Sequence, residues 1–135
     1  MKDISEASAP ATQTRGPLLE AEIQKQCVDW ARKRGYWARK FSSISQRSVP
    51  DYLFSRGRRQ HDGWTDYPMR FATEFKREDA KIHKNTGVMS TKAQVDEQEA
   101  MRLAGWFVFE CNDFEGFKWN VGMIEREASV YADAR

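Results

Sequence analysis

Between Met69 and Lys76 the residues alternate: Phe71, Thr73 and Phe75 fall on one side of an extended chain, and Arg70, Ala72, Glu74 and Lys76 on the other. A period of two is strand periodicity, and a strand needs both neighbours and a cover for its apolar side. Tyr36–Phe41, rich in aromatics and too short for a helix, reads as one neighbour, and Asp51–Phe54, entered directly from Pro50, as another. The run Trp106-Phe107-Val108-Phe109-Glu110-Cys111 reads as a fourth, buried strand, with Trp106, Phe107 and Phe109 expected in the core.

Three helical stretches supply the cover. From Pro17, suited to a first turn, apolar positions recur at Leu19, Ile23, Cys27, Trp30 and Ala31 until Gly35 stops the stripe. Ser90-Thr91 opens a second helix through Ala93, Glu97, Ala100, Met101 and Ala104, ending at Gly105, and Asp113 can cap a third through Phe114, Phe117, Val121 and Ile124. The order is helix, three strands, helix, strand, helix. The first three strands are close enough for an antiparallel meander, whereas the helix over 91–104 is a crossover long enough to lay the fourth strand parallel to a neighbour. The expected fold class is α/β, a small mixed sheet of about four strands flanked by helices.

A chain of 135 residues, 40% hydrophobic and 31% charged, has material for one core. Residues 1–16, small, polar and without period, read as a flexible tail, residues 17–126 as the domain, and residues 127–135 as a C-terminal tail. The stretch 56–68, with its glycines and Pro68, reads as a mobile loop or hairpin tip. No apolar run is long enough for a membrane span and the start carries no signal peptide, so the expectation is a cytoplasmic protein with no membrane partner. Cys27 and Cys111 match no metal-ligand spacing and read as half-buried thiols without a chemical role.

The net charge of +2 hides an uneven distribution. Residues 25–59 hold ten Lys or Arg against two acids, a balance of +8 that leaves −6 elsewhere. Arg39, Lys40, Arg47, Arg56, Arg58 and Arg59, interleaved with Trp37, Phe41 and Tyr52, have the composition of a surface that follows a phosphate backbone and offers rings for stacking. A solvated charged face is the blander reading of the same charges.

The chemistry gathers at two strand ends. Asp51 opens the second strand and Glu74 and Lys76 share a face of the third; if these strands are neighbours, the three groups meet. Two converging carboxylates, with the backbone carbonyl of Phe75 between, make a hard-cation site for Mg²⁺, with Mn²⁺ able to substitute. A lysine beside such an ion can hold or deprotonate a water and offset charge growing on a phosphodiester. Taken singly, each residue has a plainer account: Asp51 as a turn residue after proline, Glu74 and Lys76 as a solvent-side pair on an edge strand.

Pro50-Asp51 followed by Glu74-Phe75-Lys76 resembles the core of the PD-(D/E)xK nucleases. The flanking elements resemble the virus-type replication-repair nuclease (VRR-NUC) branch: Glu20 with Gln24 four residues on, Thr91-Lys92-Ala93-Gln94 at a helix start, and Leu103-Ala104-Gly105 before an apolar strand, over residues 18–125. The resemblance implies a restriction-endonuclease-like core and a Mg²⁺-dependent DNA endonuclease. In it Asp51, Glu74 and Glu20 would be metal ligands, the last as ligand or outer-shell carboxylate, Lys76 the water-positioning group, and Gln94 the residue that orients Lys76 or touches substrate. It also implies branched or structured DNA such as a Holliday junction as substrate, a homodimer, and a bacterial or phage setting in DNA repair. Glu22 rivals Glu20, but Glu20 has Gln24 at the i+4 position. Two departures stand out: Ser48-Val49 where a glycine commonly precedes Pro-Asp, and a gap of 23 residues from Asp51 to Glu74, read as a substrate-contacting insertion.

Two other classes compete with an enzyme. A DNA-binding module or regulator that has lost turnover would keep the basic face, and a protein-interaction adaptor would use the aromatics Trp64 and Tyr67 of the insertion. His61 and His83 lack partners at ligand spacing and read as exposed loop residues.

Overall fold

The structure, a computed structural model, describes residues 16–41, 48–57 and 69–134. Arg47, Arg58, Arg59, His61, Trp64, Tyr67 and all but the last residue of the expected tail over 1–16 lie outside the described residues.

The first helix, α1 (Glu20–Lys33), begins three residues after Pro17, with Ile23, Gln24, Cys27, Val28 and Ala31 on its buried face. No Ser or Thr caps it; instead the Glu22 carboxylate accepts from the Leu19 amide at 2.8 Å, and acids in its first turn with Arg32 and Lys33 in its last match the helix dipole. Gly35, at φ 96°, turns the chain out of the helix in a conformation that other residues rarely adopt.

The strands β1 (Trp37–Lys40), β2 (Tyr52–Arg56) and β3 (Met69–Phe75) form the antiparallel meander, and β4 (Phe107–Cys111) lies parallel to β3 after the crossover through α2 (Lys92–Leu103). The result is an α/β fold with one open mixed sheet in the order β1-β2-β3-β4. Gly105, at φ 101°, ends α2 as Gly35 ends α1.

The sequence reading is corrected at the closing helix. The helix α3 (Phe114–Ala134) does not stop at 126, and Ala128 is buried in the core, so residues 127–134 extend the helix rather than forming a tail. Asp113 does cap it, accepting from the Gly116 amide at 2.8 Å.

The core sits between one face of the sheet and the pair α1 and α3. Phe54 stacks on Phe71 with ring centroids 4.6 Å apart, and Phe117 of α3 packs onto Phe71, Phe75 and Phe109. Burying such rings supplies roughly 1.5–3 kcal/mol each, the main force closing α3 onto the sheet. Trp106, Phe107 and Phe109 are half-buried rather than central, because β4 is an edge strand; Val108 and Cys111 are its buried members. Both cysteines are fully buried free thiols, not half-buried ones. No helix among the described residues is long and apolar enough to cross a membrane.

Candidate active site

The antiparallel register of β2 and β3 pairs Tyr52 with Thr73, and one step further along sets Asp51 opposite Glu74. Pro50, fully buried, fixes the entry, the amide of Phe41 donates to the Asp51 carbonyl at 2.7 Å, and the amide of Phe75 donates to Asp51 Oδ2 at 2.9 Å. The amide of Lys76 donates the other way, to the carbonyl of Cys111 at 2.8 Å, so by strand alternation the backbone groups of Phe75 face Asp51. Lys76 Nζ lies 3.7 Å from Glu74 Oε2, both side chains being largely buried.

Gln94 joins the two. Its carboxamide nitrogen donates to Glu74 Oε2 at 3.2 Å and its oxygen accepts from Lys76 Nζ at 3.0 Å and from the Thr91 amide at 2.8 Å, while the Thr91 hydroxyl accepts from the Gln94 amide. The capping box that starts α2 therefore also aims Gln94 at the strand-end charges.

Two residues that position this arrangement escape a reading of the sequence. Glu110, beside Glu74 on β4, accepts from the amides of Met89 and Ser90 and from the Ser90 hydroxyl, all within 2.9 Å, and the buried Gln98 donates to that hydroxyl. These bonds hold the segment just before Thr91 against the sheet. A carboxylate inside an otherwise apolar strand was the available signal, since buried charges are hydrogen-bonded. Glu78 is the second: its carboxylate accepts from the Leu18 amide at 2.8 Å and its own amide donates to the Leu18 carbonyl at 3.1 Å, tying the start of α1 to the segment after β3.

That tie sets Glu20, the first residue of α1, near the same charges. Burial first, then the charge of Asp51, raises its carboxyl above the usual range, while Lys76 and Lys40 pull it down. Glu22 is exposed and engaged in closing the helix start, so Glu20 is the helix carboxylate at the site. Burial also raises Asp51, against the hydrogen bond from Phe75. Glu74 is the most affected: burial, then the charges of Asp51 and Glu20, push it up to about 8, with Lys76 opposing. Of the two facing carboxyls, which lie within reach of a shared proton, Glu74 takes it.

Ionised, this set is a concentration of negative charge in which Glu74 Oε1 is buried and accepts no hydrogen bond. An unpartnered buried carboxylate oxygen costs ~1–3 kcal/mol or more unless a proton or cation meets it. Oxygen donors only, from Asp51, Glu74 and Glu20, are the chemistry of a hard cation. No group of three or more His, Cys, Asp or Glu side chains is gathered tightly enough to hold an ion among the described residues, so the set fits a metal by its donor chemistry and not as a closed cage.

The basic residues divide. Lys40 is exposed beside the carboxylates, and Arg39 is exposed with its guanidinium 5.3 Å from the Trp37 ring. Arg56 is corrected: it is buried, donates to the carbonyl of Arg34 at 3.3 Å and lies 3.5 Å from Glu125, so it is part of the interior and not of a nucleic-acid surface. Arg47, Arg58 and Arg59 lie outside the described residues. Comparison with models of protein families, with curated proteins and with solved structures finds no match to this chain.

Proposed function

We propose that the chain is a Mg²⁺-dependent endonuclease that hydrolyses DNA phosphodiester bonds, on a restriction-endonuclease-like core. The observation that carries the reading is Glu74: a buried carboxylate facing Asp51 and Lys76, with Oε1 left without a hydrogen bond. Asp51 and Glu74, with the Phe75 carbonyl and Glu20, would hold the ion. When bound, a hard cation polarises a phosphoryl oxygen and lowers the pKa of a water. The chain's own groups do the rest. Lys76, held by Gln94, places a positive charge beside the carboxylates where it can orient the attacking water and offset charge on the phosphate. Mn²⁺ would substitute for Mg²⁺.

Branched or structured DNA, such as a four-way junction, is the favoured substrate. Symmetric cutting of a junction needs two sites related by a twofold axis, hence a homodimer. A domain of this size spans few base pairs alone, which supports the same arrangement. Bacterial or phage DNA repair is the setting proposed with it.

The test is cleavage of a labelled panel of linear duplex, single strand, flap, four-way junction and supercoiled plasmid, in Mg²⁺, Mn²⁺ or EDTA, with Asp51→Ala and Lys76→Ala proteins alongside. Metal-dependent cutting lost in both variants is expected. One observation favours a second reading, a DNA-binding module without turnover: no tight group of three ligands stands among the described residues. Intact DNA in every lane, with the wild type still shifting the junction in a gel, would select that reading.

A further inference from the structure

Reading the sheet across its strands, rather than along them, brings together residues far apart in sequence. The register pairs Trp37 with Ser55, Ser55 with Arg70, and, one step before Phe71 and Phe107, Arg70 with Trp106. Paired residues project on one face. The Arg70 guanidinium lies 6.0 Å from the Trp106 ring and that of Arg39 5.3 Å from Trp37, so each tryptophan of this row has an arginine over it. Two steps along β2 the row is Arg39 and Leu53, and two further it is Asp51 and Glu74. One face thus runs from a tryptophan and arginines to the carboxylates, over ~13 Å at 3.3 Å per residue.

On this face β1 and β2 carry no helix among the described residues. The helix α1 packs on the other side, where Ala38 and Phe54 are buried, and α2 lies against β4. Trp37 remains 50% exposed.

We propose that this open face holds an unpaired stretch of nucleic acid, with a base stacked on Trp37 and phosphates on Arg39 and Arg70, leading the strand to Asp51 and Glu74. Only the destination of the strand rests on the nuclease reading. The chemistry selects the occupant. An exposed ring beside a guanidinium offers a π-face that bases inside a duplex do not have free. Between the tryptophan and the carboxylates the exposed charges are Arg39 and Arg70, with no acid among Trp37, Arg39, Leu53, Ser55 and Arg70, which suits a polyanionic strand. The separation of ~13 Å is the length of about four stacked nucleotides.

The experiment measures anisotropy of a fluorescein-labelled oligothymidylate, and of a duplex of equal length, with the full chain in EDTA so that no cutting occurs. Trp37→Ala is expected to weaken single-strand binding about tenfold and duplex binding by less than about twofold. Trp37→Phe should keep most of the affinity, and Arg70→Ala should lower it and flatten its salt dependence. Trp119→Ala, at another exposed tryptophan, should change nothing. Trp37→Leu, which keeps apolar bulk without a ring, tests the stacking if the alanine variant fails to fold. Unchanged single-strand affinity in Trp37→Ala and Trp37→Leu, equal loss for both probes, or a wild type that binds no single strand overturns the proposal. Binding without any cleavage in Mg²⁺ leaves it standing and removes the nuclease; cleavage with no dependence of binding on Trp37 does the reverse.

Discussion

Gln94 donates to Glu74 Oε2 at 3.2 Å, reaching from the first turn of a helix to a strand that precedes it by 20 residues. The same carboxamide accepts from Lys76, so one side chain sets the spacing of a carboxylate and an ammonium that are only 3.7 Å apart. Replacing it with alanine leaves that spacing to two flexible side chains. On the proposed nuclease reading, metal-dependent cleavage by Gln94→Ala should fall about 10- to 100-fold, the loss expected where a partner behind a proposed metal ligand is removed. DNA affinity in EDTA should stay unchanged. The capping-box bond from the Thr91 amide is lost with it, visible as a small drop in melting temperature. Wild-type cleavage by the variant would remove Gln94 from the site.

A carboxyl that ionises near 8 when folded and near its ordinary value when unfolded binds its proton more tightly in the native state. Its contribution is therefore complete below the unfolded value and is lost as pH rises through about 8. Metal-free protein should lose stability across that window, by at most about 1.4 kcal/mol per pH unit for one proton. Glu74→Gln, which stays neutral, should flatten the slope and raise the melting temperature at pH 8 and above. Mg²⁺ should have a similar effect on the wild type, by displacing the proton. Urea melts at a series of pH values, with and without Mg²⁺, read both; a rising stability between pH 6 and 8 in EDTA would contradict the assignment.

The local signals in the sequence located the strand ends at which Asp51, Glu74 and Lys76 gather. Alternation at Phe71, Thr73 and Phe75 marked β3, Pro50-Asp51 marked the entry to β2, and Thr91 with Gln94 marked a capping box whose second member turned out to reach Glu74. Each is a short-range pattern, set by backbone geometry within a few residues. What escaped was everything decided by distant partners. Arg56 belongs to a basic run in the sequence, yet its partner Glu125 lies on the last helix, and only the fold brings them within 3.5 Å. Phe107 and Phe109 look like central-strand residues because composition does not tell an edge from a centre; their position beside no further strand leaves them half-buried. The helix α3 overran the expected end because Ala128, four residues after Ile124, continues the buried stripe through a polar stretch with no glycine or proline to stop it.

Glu125 is the hub of a partly buried ion cluster. Arg34 donates to both its oxygens, at 3.0 and 2.6 Å, Tyr36 donates to it at 2.8 Å, and Arg56 lies beside it. Burial would raise the Glu125 carboxyl, but the bonds from Arg34 and Tyr36 outweigh it and hold the group below its ordinary value. Glu125→Ala would remove an ion-pair partner of the buried Arg56 and the acceptor of the buried Tyr36 phenol, at a cost of about 3 kcal/mol. Glu125→Gln should lose less, since it still accepts hydrogen bonds. Chemical denaturation checks both, and equal stability of Glu125→Ala and wild type would show the cluster to be neutral. Arg56 faces the interior, so its loss of partner should change nucleic-acid affinity only through the folded fraction.

Both edges of the sheet are covered by guanidinium groups. On β1 the carbonyl of Ala38 accepts from Arg32 at 3.0 Å and from Arg39 at 3.2 Å; on β4 the carbonyl of Val108 accepts from Arg102 at 2.9 Å. In each strand the neighbouring residues pair inward, so these carbonyls are the ones another strand would seek. A charged cap on an open edge carbonyl opposes pairing with a second chain, and it does so here at both ends of the sheet. Two expectations result. A homodimer of this chain should form through helices or loops and not by joining edge strands. And Arg32→Ala with Arg102→Ala, which uncovers Ala38 and Val108 together, should self-associate at concentrations where the wild type does not, with little loss of stability because both side chains are solvent-facing. Light scattering against concentration reads the difference; identical curves for the double variant and the wild type would show that the arginines do not guard the edges.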